Sequence, residues 1–253
     1  MIELRGVTFG YAHGRPVLAG VDLAIGPGLT LVVGPNGSGK SSLLKLAAGV
    51  EAPERGEVWV DGADLWRDEV AARRGLAYVP EQPELTPYAT LGEILDLVCR
   101  LRGEPRRSGG EALARLGLGG LARRSVRELS LGQRRRALLA AARIGAPRHV
   151  LLDEPLESLD VATRDDVIAW IDGLVAGGAA VVAVSHDLAP FAVRAARAVA
   201  PAGPADPGGA GSVRSWDLPA AAAERLALLD RLARGTSTAG IGFEGLAGLS
   251  AGS

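Results

Sequence analysis

The chain has 253 residues, 47% hydrophobic content and a formal net charge of −1, which is ample for a buried core without staples and gives no general reason to expect nucleic acid or an anionic membrane as a partner. Its one cysteine, Cys99, lies in an apolar stretch and excludes an internal disulfide, as suits a packed core residue in a reducing compartment. No basic segment followed by an apolar one opens the sequence, and the most apolar run, Leu174 to Val184, is too short and glycine-rich to cross a bilayer, so a cytosolic protein is expected and any membrane role needs a separate subunit.

Short apolar or alternating runs at Ile2 to Val7, Val17 to Ile25 and Leu29 to Val33, broken by Gly and Pro, predict a small antiparallel sheet leading into a central strand. Ser42 to Ala48 follows as a helix ending at Gly49. Glu57 to Val60 is a short strand with an Asp61-Gly62 turn after it, and Leu76 to Val79 a strand entering a Pro-rich loop. Leu91, Ile94, Leu95, Val98 and Leu101 stand at helical spacing, and a second amphipathic segment surrounds Glu111 to Leu116, so about 88–130 reads as a helical insertion in an α/β core. Arg134 to Ile144 is a further helix and His149 to Leu152 a buried strand ending in Asp153-Glu154. Val161 to Val175 is a helix, Ala179 to Val184 a strand and Leu188 to Val199 another helix. This alternation predicts a parallel sheet covered on both faces. After Val199 the composition shifts to Pro201, Pro204, Pro207, Gly208 and Gly209, which reads as a linker. Pro219 to Arg234 makes one short helix with Leu226, Leu229 and Leu232 as its apolar positions, and the Gly/Ser-rich end from Gly235 reads as disordered. The expected division is one domain over 1–200 and a linker, short helix and tail over 201–253.

Gly34-Pro35-Asn36-Gly37-Ser38-Gly39-Lys40-Ser41 fits the phosphate-binding pattern G-x-x-x-x-G-K-[ST] at every fixed position, between a predicted strand and a predicted helix. Three glycines let the backbone wrap an anion, its N–H groups and the positive helix end meet phosphate oxygens, and Lys40 adds a full charge at the β and γ phosphates. Ser41 offers a hydroxyl to Mg²⁺. Further on, Asp153 at a strand end can hold Mg²⁺ through water and Glu154 can polarise an attacking water, although a solvated strand end would carry the same residues.

Between these sites lies Leu129-Ser130-Leu131-Gly132-Gln133, and here the sequence resembles the ATP-binding cassette (ABC) family, whose signature at this place is LSGGQ. Ser158-Leu159-Asp160 is similar to that family's D-loop and Ser185-His186-Asp187 to its His switch; the resemblance covers about Ile2 to Val199. It implies an α/β fold of the P-loop NTPase kind, with a parallel central sheet, an N-terminal antiparallel β subdomain and an inserted helical subdomain. It also implies that Tyr11 stacks on adenine, that Gly34 to Ser42 cradle the triphosphate of ATP, and that Asp153 serves Mg²⁺. Glu154 is then the general base and His186 the donor to the γ-phosphate. Ser130, Leu131, Gly132 and Gln133 would act across an ATP-sandwiched dimer on a second ATP-binding subunit, with Asp160 coupling the two sites. The family usually has Gln where this chain has Glu81, with Gln82 next; a carboxylate there still offers an oxygen to Mg²⁺ but adds negative charge. Leu131 stands for the first Gly of the signature. Beyond His186 the short strands that close the family's core look replaced.

The implied function is the ATP-hydrolysing subunit of a transporter, docked on separate transmembrane permease subunits at the inner face of the membrane through the Glu81 loop and the helical insertion. Tyr78 to Pro87, with Leu91 and Glu93, resembles the loop of exporter-type cassettes. No residue reports the cargo. A soluble ABC-type ATPase and a weakly hydrolysing regulatory cassette are the other readings; one set of nucleotide motifs and the absence of a basic tail oppose the first, and intact Lys40, Asp153, Glu154 and His186 oppose the second.

Overall fold

A computed structural model of the protein describes residues 1–12, 15–83, 85–202 and 211–235. The chain opens with β1 (Ile2–Phe9) and β2 (Leu18–Ile25), paired antiparallel. In β1 the inward residues are Ile2, Leu4, Val7 and Phe9, and the alternation slips by one between Leu4 and Val7. Gly6, at φ +59°, takes up that bulge, which keeps both flanking apolar residues facing inward. β3 (Gly28–Val32) then runs into the 34–41 loop and α1 (Lys40–Ala47). β4 (Arg55–Val60) lies antiparallel on the other edge of β1, with β5 (Ala63–Asp64) folded back on it. After the short α2 (Glu69–Arg73) comes β6 (Leu76–Val79).

The helical insertion consists of α3 (Leu91–Arg102) and α4 (Arg106–Arg115), followed by two single 3₁₀ turns at Gly119–Leu121 and Val126–Glu128. α3 starts at a reciprocal cap in which Thr90 and Glu93 satisfy each other's backbone N–H, and ends at Gly103 in the left-handed region. Its partner packs closely because Gly109 leaves room for Leu95; a Cβ there would stand 3.0 Å from the Leu95 Cβ. Cys99 is fully buried among these residues, as its apolar setting suggested. α5 (Leu131–Arg143) leads to β7 (His149–Asp153), α6 (Val161–Ala176), β8 (Ala180–Val184), α7 (Ala189–Ala192), β9 (Arg197–Pro201), β10 (Val213–Asp217) and α8 (Ala222–Ala233).

Among the described residues the strands form a four-stranded antiparallel sheet, β2-β1-β4-β5, and a six-stranded sheet, β10-β9-β3-β8-β7-β6, parallel except for β10. Every residue of β7 and β8 is buried, which is why both read as uninterrupted apolar runs rather than alternating ones. One core packs the helices against the large sheet; the other lies between the sheets, where Leu43, Leu44 and Leu46 of α1 meet Ile2, Leu4 and Val58. Each such leucine contributes about 1.5–3 kcal/mol by leaving water. α1 is thereby held between two sheets, and the loop before it inherits that rigidity.

The C-terminal part differs from the sequence expectation. The predicted helix over Leu188 to Val199 is short α7 followed by β9, because Ala198 and Val199 are fully buried as the strand beside β3, and that pairing overrides the helical propensity of alanine. The strands that looked replaced are present as β9 and β10, so the large sheet continues past residue 200, and Leu228, Leu229 and Leu232 of α8 join its core. Pro204, Pro207, Gly208 and Gly209 of the proposed linker, and the tail after Gly235, lie outside the described residues. The helix expected to start at Arg134 begins at Leu131, where Ser130 caps it.

Candidate functional site

The 34–41 loop joins the C-terminal end of β3 to α1. Gly34, Gly37 and Gly39 have φ of +139°, +78° and +99°. A Cβ on Gly39 would come within 2.9 Å of Val17, and one on Gly34 within 2.9 Å of the Ser38 hydroxyl, so both positions need glycine on two counts. Lys40 Nζ donates to the carbonyl oxygens of Gly34 (2.8 Å) and Pro35 (3.0 Å), folding the side chain back over the loop. Gly39 starts α1 with no side-chain cap, and Ser38 Oγ is buried with no hydrogen-bond partner among the described residues. Uncapped N–H groups at a positive helix end, a waiting hydroxyl and an ammonium make a receptor for an anion of phosphate type.

The carboxylates come from the end of β7. Asp153 is buried, and burial raises its pKa, opposed by a hydrogen bond from the Ser41 side chain. Glu154 is also buried and is raised chiefly by the same cause; the backbone N–H of His186 donates to its Oε2 (3.2 Å), and His186 Nε2 stands 3.7 Å from Oε1. Oε1 itself has no hydrogen-bond partner among the described residues. Glu154 adopts φ +50°, a left-handed conformation uncommon for a non-glycine residue. Burial lowers the Lys40 pKa while Glu154 and Asp153 hold it up, so the ammonium and both carboxylates share one electrostatic site. Tyr11 is 63% exposed, stacked edge-on against Phe9 (4.9 Å between ring centres), with its hydroxyl 3.3 Å from Ser42 Oγ. The Glu81 carboxylate is exposed and raises Asp153 from across the site.

Ser130, Leu131, Gly132 and Gln133 form the start of α5. Ser130 Oγ accepts from the Gln133 N–H (3.2 Å) and Gln133 Oε1 from the Ser130 N–H (2.9 Å), so these two side chains bond each other. Leu131 is 59% exposed, and Gly132 faces the Ser158 carbonyl so closely that a Cβ would lie 3.2 Å from it. Asp160 caps α6, accepting from the Thr163 N–H (2.9 Å) and hydroxyl (3.0 Å). Thus the loop, Asp153, Glu154, His186 and Tyr11 are brought together, whereas 130–133 gather with the turn after β7.

Two further residues border the site. Tyr78, on β6, has a buried hydroxyl with no partner among the described residues, and burial together with Asp153 raises its pKa. Arg135 is buried, with its guanidinium bonded to the backbone carbonyls of Pro80 after β6 and of Asp153 at the end of β7. In the sequence Arg135 is hidden in the run Arg134-Arg135-Arg136, which reads simply as a basic helix start; its helical phase, on the side of Leu139, is the signal that separates it from its neighbours.

Among the described residues no three His, Cys, Asp or Glu side chains gather into a self-sufficient metal site. One hydroxyl beside one carboxylate, Ser41 and Asp153, suits a Mg²⁺ that takes its other ligands from phosphate and water.

The sequence pattern of the ABC transporter family matches residues 18–157. The chain is 40% identical to the cytochrome c biogenesis ATP-binding export protein CcmA of Cupriavidus necator over 196 residues, 76% of this chain and 86% of that protein. It is 38% identical to the hemin import ATP-binding protein HmuV of Jannaschia sp. over 203 residues, 74% of this chain and 72% of that one. Among solved structures, the dimeric post-hydrolysis state of the ATP-binding cassette MJ0796 bound to ADP and Pi matches with a TM-score of 0.74 and 28% identity, covering 87% of this chain and 99% of that chain. With more than half of its residues inside the family's own pattern, this chain belongs to the ABC transporter family as an ATP-binding, ATP-hydrolysing subunit.

Proposed function

We propose that hydrolysis uses Glu154 as the general base, with Lys40 and His186 on the γ-phosphate, and that Ser130, Gly132 and Gln133 of one copy complete the site of another. The observation that carries this is Glu154 Oε1, a buried carboxylate oxygen without a hydrogen-bond partner among the described residues, 3.7 Å from His186 Nε2. Such an oxygen is held ready to take the proton of an attacking water, and its raised pKa strengthens it as a base. The uncapped start of α1 and Lys40 bind the phosphates and orient them, which is most of what phosphoryl transfer asks of a protein. Mg²⁺, held by Ser41 and Asp153 with Glu81 nearby, neutralises charge on the phosphates when bound. Tyr11, exposed beside Ser42, supplies the face for adenine.

The second subunit enters because a helix N-terminus is a site for negative charge, and α5 begins with Ser130 on an exposed corner. ATP then joins the two copies and hydrolysis releases them, with Asp160 in the turn between the sites. We place the dimer on separate permease subunits at the cytoplasmic face of the membrane; among the described residues no helix is long and apolar enough to cross it. Export is the proposed direction, on the resemblance of Tyr78 to Pro87 to exporter loops, although matched relatives include both an export and an import protein.

Glu154→Gln tests the site. It will retain ATP and elute as a dimer in size-exclusion chromatography with ATP and Mg²⁺; elution as a monomer at saturating nucleotide would refute the shared site. Copurification of a polytopic membrane protein from detergent extract, followed by vesicle transport in the two orientations, tests the permease and the direction.

A further inference from the structure

The buried arginine of the α5 helix has no part in the chemistry proposed above. Arg135 is 3% exposed, in the first turns of the helix that starts with Ser130. Its Nη1 donates to the carbonyl oxygens of Pro80 (2.8 Å) and Glu81, and its Nη2 to those of Asp153 (2.5 Å) and Glu154. The first pair belongs to the loop after β6 and the second to the end of β7. One planar fork therefore spans both segments that border the site, from a third element that carries the partner-facing corner. A lysine, with a single head, has no equivalent geometry.

The carbonyls that Nη2 grips bracket Glu154, the residue in the left-handed conformation. Such a conformation persists only where its surroundings over-determine it. Besides Arg135, the backbone there is held by the Glu154 N–H on the Val184 carbonyl (3.0 Å) and the Glu157 N–H on the Glu154 carbonyl (3.2 Å). Neither of those bonds reaches the loop after β6. Beside the guanidinium lies an open pocket of about 430 Å³ bordered by Glu81, Pro83, Leu131, Glu157 and Ser158, so the loop after β6, the start of α5 and the turn after β7 all meet around this one side chain.

We propose that Arg135 is a positioning residue that ties the aim of Glu154 to the placement of the loop after β6 and of the Ser130 corner, so that displacement of either misdirects the base. Its guanidinium donates to backbone carbonyls alone, and it acts through the Asp153 and Glu154 backbone. The proposal rests on Glu154 as the base.

The test uses the full chain with Arg135→Lys and Arg135→Ala, measuring the affinity of a fluorescent ATP analogue, steady-state ATPase and the thermal midpoint. Arg135→Lys will bind the analogue like the wild type and unfold at a similar temperature, with KM held and kcat lowered roughly 100-fold, the scale set by a misplacement of about 1 Å. Millimolar guanidinium will recover part of kcat in Arg135→Ala, and methylammonium will not. Wild-type kcat in both variants overturns the proposal. So does a fall in kcat matched by equal losses of affinity and folded fraction in both, which marks a scaffold role; if the alanine variant fails to fold, the lysine variant decides by the same criteria. A Glu154→Gln protein that hydrolyses ATP like the wild type would instead remove the base assignment, independently of the Arg135 result.

Discussion

Lys40 Nζ donates to two carbonyls of its own loop, and its proposed role is to make a charge-assisted contact to phosphate when nucleotide enters. Lys40→Ala should cost about 1.5–3 kcal/mol of nucleotide affinity, read by titrating a labelled ATP analogue; unchanged affinity contradicts the assignment. Glu154 makes a different kind of prediction. Its folded pKa is raised by burial, so the ionised carboxylate opposes folding at neutral pH and the penalty disappears as pH falls through the raised value. Glu154→Gln in the absence of nucleotide should therefore melt above the wild type at neutral pH, and that difference should shrink on acidification. Activity should have the opposite sense: as the proposed base, Glu154 works only when ionised, so kcat should fall on the acid side before an ordinary glutamate would protonate. At this scale the sequence was most legible in the 34–41 loop, where glycine spacing between two apolar runs foretold a turn from a strand into a helix. Arg135 was not, because nothing local distinguishes a buried arginine from two flanking ones until the sheet that surrounds it is known.

The elements were legible wherever burial writes a period into the sequence. α3 announces itself by apolar spacing, and β7 and β8 by continuous apolar runs. β9 was misread because Ala195-Ala196-Arg197-Ala198-Val199 has alanine's helical bias while its neighbour in space, β3, demands a strand. β10 was missed for another reason: its burial pattern is mixed, with Trp216 half-buried and Arg214 exposed, as expected at an edge. The functional weight of this segment can be measured. Leu229 on α8 is fully buried in the main core. Leu229→Ala should destabilise by about 2–5 kcal/mol in urea unfolding, whereas a residue in a solvated linker would shift it by less than about 0.5 kcal/mol.

Across the whole molecule the two sheets are fastened at a polar contact as well as through α1. His149, the first residue of β7, is buried with Nε2 3.0 Å from Asp61 in the turn between β4 and β5, and Arg148 reaches the same carboxylate at 2.8 Å. Burial lowers the His149 pKa despite the Asp61 hydrogen bond. A base depressed in this way stabilises the fold above its unfolded pKa of about 6.5, and the contribution is lost as pH falls below that value and on through the depressed one. Measured as the change in urea midpoint between pH 7.5 and 5.5, His149→Gln should therefore favour the lower pH relative to the wild type; the same change in both proteins refutes the linkage. The end of α8 has a practical bearing too. Gly235 lies so near the phosphate loop that a methyl group on it would touch the Pro35 ring at 3.5 Å. Since the native thiol is sealed inside the insertion, an Arg234→Cys protein would take a fluorophore at one place, next in sequence to the glycine beside Pro35, and a change in its emission on adding ATP would register nucleotide arriving in real time.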